Sequence, residues 1–224
     1  MNLTVRQAAA YLNADESTVR QWITKRGLPV HRVNEGLRLN ALELWEWATE
    51  QGVPVSRKLL ERARKTPEPV PPLSTLLAVG GIHHDVGGED RAGVLKEMVA
   101  RLPLPDDVDR GFLTSVLEAR EAMGSTGIGD GIAIPHVRNP ILLHVSEPFV
   151  ALCLLRRPVD FEAVDGRPVH ALFSVVSPNV PSHLRILAQT AFVLRDDELR
   201  RLLRERADAS SILARVRALE ARAG

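Results

Sequence analysis

Arg120 to Arg138 reads R-E-A-M-G-S-T-G-I-G-D-G-I-A-I-P-H-V-R, and its order of residue types decides how the larger part of the chain is read. Gly124, Gly127, Gly129 and Gly131 crowd one loop after a helix-like stretch. Backbone without side chains bends freely and approaches a ligand closely, and successive exposed N–H groups can cradle an anion. Ile132-Ala133-Ile134 then has the look of a short buried strand, and Pro135 fixes the backbone just before His136. Arg138, two positions on, shares a face with His136 in an extended segment. A histidine held rigidly beside arginines is a candidate nucleophile for phosphoryl transfer, because imidazole can carry a covalent phosphoryl group.

Downstream, Ser177-Pro178-Asn179-Val180-Pro181-Ser182-His183-Leu184 supplies a second element. Ser182 is read as the cap of the following helix, with His183 in its first turn. There the helix dipole disfavours imidazolium and attracts an anion. Upstream, Asp106 is read as the cap of a helix over 106–123 whose Val108, Phe112, Val116 and Met123, with Leu113 and Leu117, form a broad apolar face. Arg120 lies near its end and close to the apolar side, as a fixed positive charge. Further helices are expected near 89–101, 182–195 and 208–220, with a short one near 197–204. Strands are expected over Gly81–Val86, Ile132–His136, Phe149–Leu155 and Val169–Val176. Strands interleaved with helices predict an α/β (α+β) layered domain.

Working back from that domain, Thr66 to Pro72 reads T-P-E-P-V-P-P, a segment that cannot propagate a helix and acts as a stiff spacer. The charged, helix-prone stretch Val55–Lys65 precedes it. Before that comes a smaller pattern. Thr4 caps a helix through Val5–Leu12, and Asn13-Ala14-Asp15 breaks it. A second helix runs from about Glu16 to Lys25 with Val19, Trp22 and Ile23 inward, and Gly27 stops it. Two strand-like runs, His31–Val33 and Leu37–Leu39, flank a turn at Asn34-Glu35-Gly36, and Asn40 caps a third helix with Leu42, Leu44, Trp45 and Trp47. Two short helices, a hairpin and a helix form the order of a winged helix-turn-helix. Two domains and a connection follow: 1–52 as a winged helix-turn-helix, 53–72 as a helical and proline-rich linker, and 73–224 as the α/β domain.

Charge agrees with this division. The whole chain of 224 residues carries a net +1, but residues 1–66 hold +4 and residues 67–224 hold −3. A basic front piece points to nucleic-acid contact. No apolar run approaches the roughly 18–20 residues that span a bilayer, and the N-terminus lacks the pattern of a secretion signal. Cys153, the one cysteine, allows no internal disulfide, which fits a cytoplasmic protein. The spacing Gly127-x-Gly129-x-Gly131 is not a dinucleotide fingerprint and no P-loop is present, so the phosphate is expected from a protein donor, with no bound cofactor. His83-His84-Asp85 offers three adjacent ligand types, but neighbours on a strand point to opposite faces, so no metal site is expected. His31, His144 and His170 read as structural or solvated.

Arg120 with G-S-T-G-I-G-D-G-I-A-I-P-H, followed by S-P-x(4)-H-L, resembles enzyme IIA of the bacterial phosphotransferase system, mannitol/fructose type, a class that includes the nitrogen-regulatory IIA proteins. The resemblance runs from about Leu73 to the C-terminus. It implies a mixed sheet flanked by helices, and a His136 that takes a phosphoryl group from an HPr-like phosphocarrier protein, with His183 and Arg120 stabilising the charge. At the front, L-T-V-R-Q-A-A-A-Y-L, S-T-V-R-Q-W-I, G-L-P and W-E-W are similar to the excisionase and MerR-like winged helix-turn-helix family. That resemblance implies contacts to duplex DNA from Ser17, Thr18, Arg20, Gln21 and Lys25 on the second helix, and from Arg32 and Arg38 on the wing. Glu35 at the wing tip departs from the basic residue a phosphate contact prefers.

The expectation is a phosphorylation-responsive regulator, a histidine phosphocarrier rather than a turnover enzyme, with a DNA-binding head. No transporter domain or membrane segment is seen in the chain, which turns the reading from sugar transport to regulation. Two alternatives stay open: a phosphocarrier component whose head docks a partner protein, and a IIA scaffold that binds partners without being phosphorylated. A two-fold operator would favour a homodimer.

Overall fold

The computed structural model describes residues 2–33, 36–56, 70–106, 108–137 and 147–222. The chain divides into two units, Met1–Pro67 and Glu68–Gly224. Most of the Val55–Lys65 stretch and of the proline spacer lies outside the described residues, as do Glu35, Arg138 and His144.

The first unit runs β1 (Asn2–Thr4), α1 (Val5–Tyr11), α2 (Glu16–Lys25), β2 (His31–Val33), β3 (Gly36–Asn40) and α3 (Ala41–Glu50). Thr4 starts α1 with a reciprocal cap: its hydroxyl accepts from the Gln7 N–H at 3.2 Å, and the Gln7 side chain accepts from the Thr4 N–H at 2.9 Å. The Asp15 carboxylate starts α2 by accepting from the Thr18 N–H at 2.7 Å. Leu3, Ala8, Leu12, Val19, Leu28, Leu39, Leu44 and Ala48 are buried and close the core. Trp22 and Trp47 stand 5.2 Å apart in a tilted pair, and the Trp47 Nε1–H donates to the Arg26 carbonyl at 2.9 Å. That pairing sets the end of α2 against α3. The strands form an antiparallel sheet in the order β1-β3-β2. β1 was not expected, because three residues before a cap are too short to show alternation.

In the second unit, β4 (Ile82–Val86), β5 (Gly127–Gly129), β6 (Ile132–Ala133), β7 (Phe149–Val159) and β8 (Val169–Val176) build a mixed sheet in the order β4-β7-β8-β6-β5. β4 runs parallel to β7 and β6 parallel to β8, while β7–β8 and β5–β6 are antiparallel. The helices are α4 (Leu73–Gly80), α5 (Arg91–Arg101), α6 (Arg110–Ala122), α7 (Val180–Val193), α8 (Asp197–Arg204) and α9 (Ala209–Glu220). Met98, Val99, Leu113, Leu117, Cys153, Phe161 and Leu172 lie in the core between sheet and helices. Burial pushes the Cys153 thiol up to about 12, as suits a packing residue. Among the described residues no helix is long and apolar enough to cross a membrane.

Two sequence expectations need correction, and one helix is new. α6 begins at Arg110 and is capped by Asp109, whose carboxylate accepts from the Phe112 N–H at 2.9 Å, so Asp106 is not the cap. The Arg110 guanidinium turns back onto the Val99 and Leu102 carbonyls at 2.7 and 3.1 Å, at the end of α5. α7 begins at Val180, with Asn179 as cap in place of Ser182 and Pro181 in the first turn, where a missing N–H costs nothing. α4 was not foreseen. It starts straight after Pro72, and the Glu220 carboxylate holds Ser74 through its N–H at 3.0 Å and its hydroxyl at 2.6 Å.

Candidate functional site

His136 lies just past β6 and continues its pairing: it bridges to Val175 on the parallel strand β8. β8 ends at Val176, Ser177 follows, and α7 then carries His183. Two parallel neighbours thus deliver their carboxyl ends to one place, which is where open α/β sheets bind ligands. The His136 and His183 rings stand 5.3 Å apart, tilted by 45°. The exposed fractions are 3% for His136 and 0% for His183.

A carbonyl can only accept, so the 2.7 Å contact between His136 Nδ1 and the Ile134 oxygen identifies Nδ1 as the protonated nitrogen. The unprotonated nitrogen of a neutral ring is then Nε2, the atom with nucleophilic character. His183 is held by Ser177, whose hydroxyl lies 3.0 Å from Nδ1. Burial, and then the neighbouring His136, hold the His183 imidazole well below its ordinary range, so it is neutral at neutral pH. Its backbone N–H already donates to the Asn179 carbonyl at 3.0 Å. His183 therefore follows the uncapped N–H groups instead of being one of them, and any ligand contact comes from its ring.

Arg120 is buried on the inner face of α6 with Leu113, Leu117 and Glu121. Its Nη1–H donates to the Gly124 carbonyl at 2.8 Å, at the start of the glycine loop. Glu121 escaped sequence reasoning. Its carboxylate accepts from the Thr126 N–H at 2.9 Å and hydroxyl at 2.6 Å, and the Thr126 carbonyl in turn accepts from the Ile134 N–H at 3.0 Å. The loop is thereby tied from helix to strand up to the residue that orients His136. An acidic residue in a helix's last turn opposes the dipole, and that was the available signal.

Gly131 has φ +73, and a Cβ there would lie 2.1 Å from His170 Nδ1. The hairpin between β5 and β6 closes because that position has no side chain. His83 and His84 turn out to be structural: His83 Nε2 meets the Gly80 carbonyl at 3.1 Å, and His84 Nε2 meets that of Ala207 at 2.9 Å. Asp85 pairs with Arg206.

In the first unit, Ser17, Arg20, Gln21 and Lys25 are exposed and Thr18 is half-buried, on the side of α2 away from buried Val19. The Ser17 hydroxyl donates to Asp15 at 2.7 Å, so only its lone pairs remain for a partner. Arg38, on β3, is half-buried with Nη1 on the Leu37 carbonyl at 3.1 Å. Arg32 lies on β2.

The family model described as "Phosphoenolpyruvate-dependent sugar phosphotransferase system, EIIA 2" matches residues 75–218. The chain belongs to that family. A model described as "Helix-turn-helix domain" matches residues 3–52. The IIA part is 38% identical over 145 residues to a nitrogen regulatory protein of Pseudomonas aeruginosa, covering 62% of this chain and 91% of that one. A nitrogen regulatory protein of Bradyrhizobium diazoefficiens is 33% identical over 143 residues, covering 63% and 92%. Among solved structures, the nitrogen regulatory protein IIA-Ntr of Neisseria meningitidis aligns with a TM-score of 0.56 at 28% identity, covering 64% of this chain and 97% of that one. The chain is therefore a IIA domain, similar to the nitrogen-regulatory kind, with a helix-turn-helix domain before it.

Proposed function

We propose that this chain is a phosphorylation-responsive regulator, with residues 1–52 as a DNA-binding head, 53–72 as a connection and 73–224 as the phosphoryl carrier. His136 Nε2 attacks the phosphorus presented by an HPr-like phosphocarrier protein. The nitrogen–phosphorus bond forms as the donor's bond to phosphorus breaks, and the donor atom keeps that electron pair. No proton has to move: Nδ1–H stays in place, and its bond to the Ile134 carbonyl stabilises the charge the ring acquires. Neutral His183 and the Arg120 guanidinium stabilise the phosphoryl oxygens. The observation that carries this reading is the orientation of His136, with Nδ1 committed to a backbone carbonyl 2.7 Å away and the His183 ring beside it.

The test is incubation of the full chain with a phosphorylated phosphocarrier protein. Acid-labile, base-stable phosphate is expected on wild type and lost in His136→Ala. Label persisting undiminished in that variant would sink the assignment. His183→Ala and Arg120→Ala should accept label slowly, by roughly 10²-fold or more. The exposed Arg20, Gln21 and Lys25 support the DNA-binding half of the proposal, and a two-fold operator would make the bound form a homodimer.

A further inference from the structure

Ser177 and His183 are both wholly buried, and the Ser177 hydroxyl meets His183 Nδ1 at 3.0 Å. A hydroxyl and an imidazole nitrogen can share that contact in two ways. If His183 Nδ1–H donates, the Ser177 hydroxyl proton has no acceptor among the described residues, and His183 Nε2 is left as an unpartnered lone pair. If Ser177 donates, its proton is satisfied and one group alone is left over, the His183 Nε2–H. Among the described residues Nε2 has no partner and is buried. Buried orphan donors are rare and costly, and they persist where a ligand completes them. The second arrangement leaves fewer orphans, and its single orphan is a donor beside the His136 ring, 5.3 Å away.

We infer that Ser177 is a positioning residue that donates to His183 Nδ1 and so holds His183 in the Nε2–H tautomer, a neutral donor ready for an oxygen of a phosphoryl group on His136. This rests on the phosphoryl-carrier reading for its ligand, but the tautomer itself does not. Without the Ser177 hydroxyl, His183 would be free to place its proton on Nδ1 and turn a lone pair toward the phosphoryl oxygens, which repels them. The Ser177 hydroxyl therefore acts on the transferring group only through the imidazole.

The experiment is nitrogen NMR of the histidine rings in the unphosphorylated full chain, with His183 assigned by its loss in His183→Gln. Wild type should show Nε2–H at His183. Ser177→Ala should move it toward Nδ1–H, and Ser177→Thr, which keeps the hydroxyl, should restore it. Should Ser177→Ala not fold, the near-isosteric Ser177→Cys, a weak donor, gives the same comparison. Initial rates of phosphoryl acceptance should follow the tautomer, falling roughly threefold to tenfold where it is lost. An Nδ1–H tautomer in wild type, or an unchanged tautomer in Ser177→Ala or Ser177→Cys, overturns the inference. If wild type shows the expected tautomer but takes no phosphate, the carrier reading fails while the role of Ser177 in the tautomer stands.

Discussion

Glu121 grips Thr126 twice, through the backbone N–H at 2.9 Å and the hydroxyl at 2.6 Å, and so closes the five-residue path from the end of α6 into the glycine loop. Both residues are buried, so Glu121→Ala strands two donors away from water. Each such orphan costs about 1–3 kcal/mol. Chemical unfolding should register a loss of roughly 2–4 kcal/mol, and slower labelling of His136 should accompany it. Thr126→Val removes one donor and should lose about half as much. Wild-type stability in Glu121→Ala would show that the loop holds without this tie.

His183 makes stability depend on pH. Burial and His136 depress its folded value, so below about pH 6.5 the unfolded chain takes up a proton that the native state refuses. Stability is therefore present above that value and lost as pH falls through it. One such proton amounts to up to about 2 kcal/mol between about pH 7.5 and pH 5. His170, also depressed by burial and then by Arg204, adds a loss of the same sign. Unfolding measured across that range should show a shallower slope in His183→Gln than in wild type, and equal slopes would refute a buried neutral His183.

Gly131 and Gly166 separate backbone strain from crowding. Both have positive φ, +73 and +68, but a Cβ at Gly166 meets nothing within 4 Å, whereas at Gly131 it runs into His170. Gly166→Ala should cost about 1–2 kcal/mol from the left-handed conformation alone. Gly131→Ala should cost clearly more, and the pairing with His170→Ala should recover part of the excess. Additive losses in the double variant would mean that the ring simply moves aside.

Much of this arrangement was legible in the amino-acid order. Val169–Val176 alternates little and is rich in β-branched residues, so its burial on both faces could be foreseen, and Asp197–Arg204 carries acidic residues at its start and basic ones at its end. His136, His183 and Arg120 stood out because chemistry-bearing residues flank a glycine-dense loop. What stayed hidden depended on long-range partners. Leu73–Gly80 is a short apolar run, and the Glu220 side chain that satisfies its first turn lies 146 residues away. The caps at Asp109 and Asn179 competed with equally suitable neighbours, Asp106 and Ser182. β5 is a three-residue strand made mostly of glycine, with no side-chain pattern to read.

The DNA-binding half of the proposal stands or falls on α2. Arg20, Gln21 and Lys25 are exposed there, and the Trp22–Trp47 pair and the Arg26 carbonyl brace the helix from behind. Arg20 and Gln21 have the chemistry to read guanine and adenine edges, so replacing either should relax sequence preference by about 1–3 kcal/mol at one position. Arg38, with one nitrogen already on the Leu37 carbonyl, is the proposed phosphate contact, and Arg38→Ala should weaken binding to every sequence alike. Wild-type affinity should fall steeply with salt, because each neutralised phosphate releases counterions, and Arg38→Ala should reduce that slope by about one. A phosphoryl group on His136 adds negative charge to the chain, so the titration is run with and without it and a change in affinity is expected. The measurement is binding of fluorescent genomic fragments, including the protein's own promoter, at two salt concentrations. If no fragment binds better than random DNA even at low salt, the head is a protein-interaction module and the chain is a phosphocarrier that docks a partner through it.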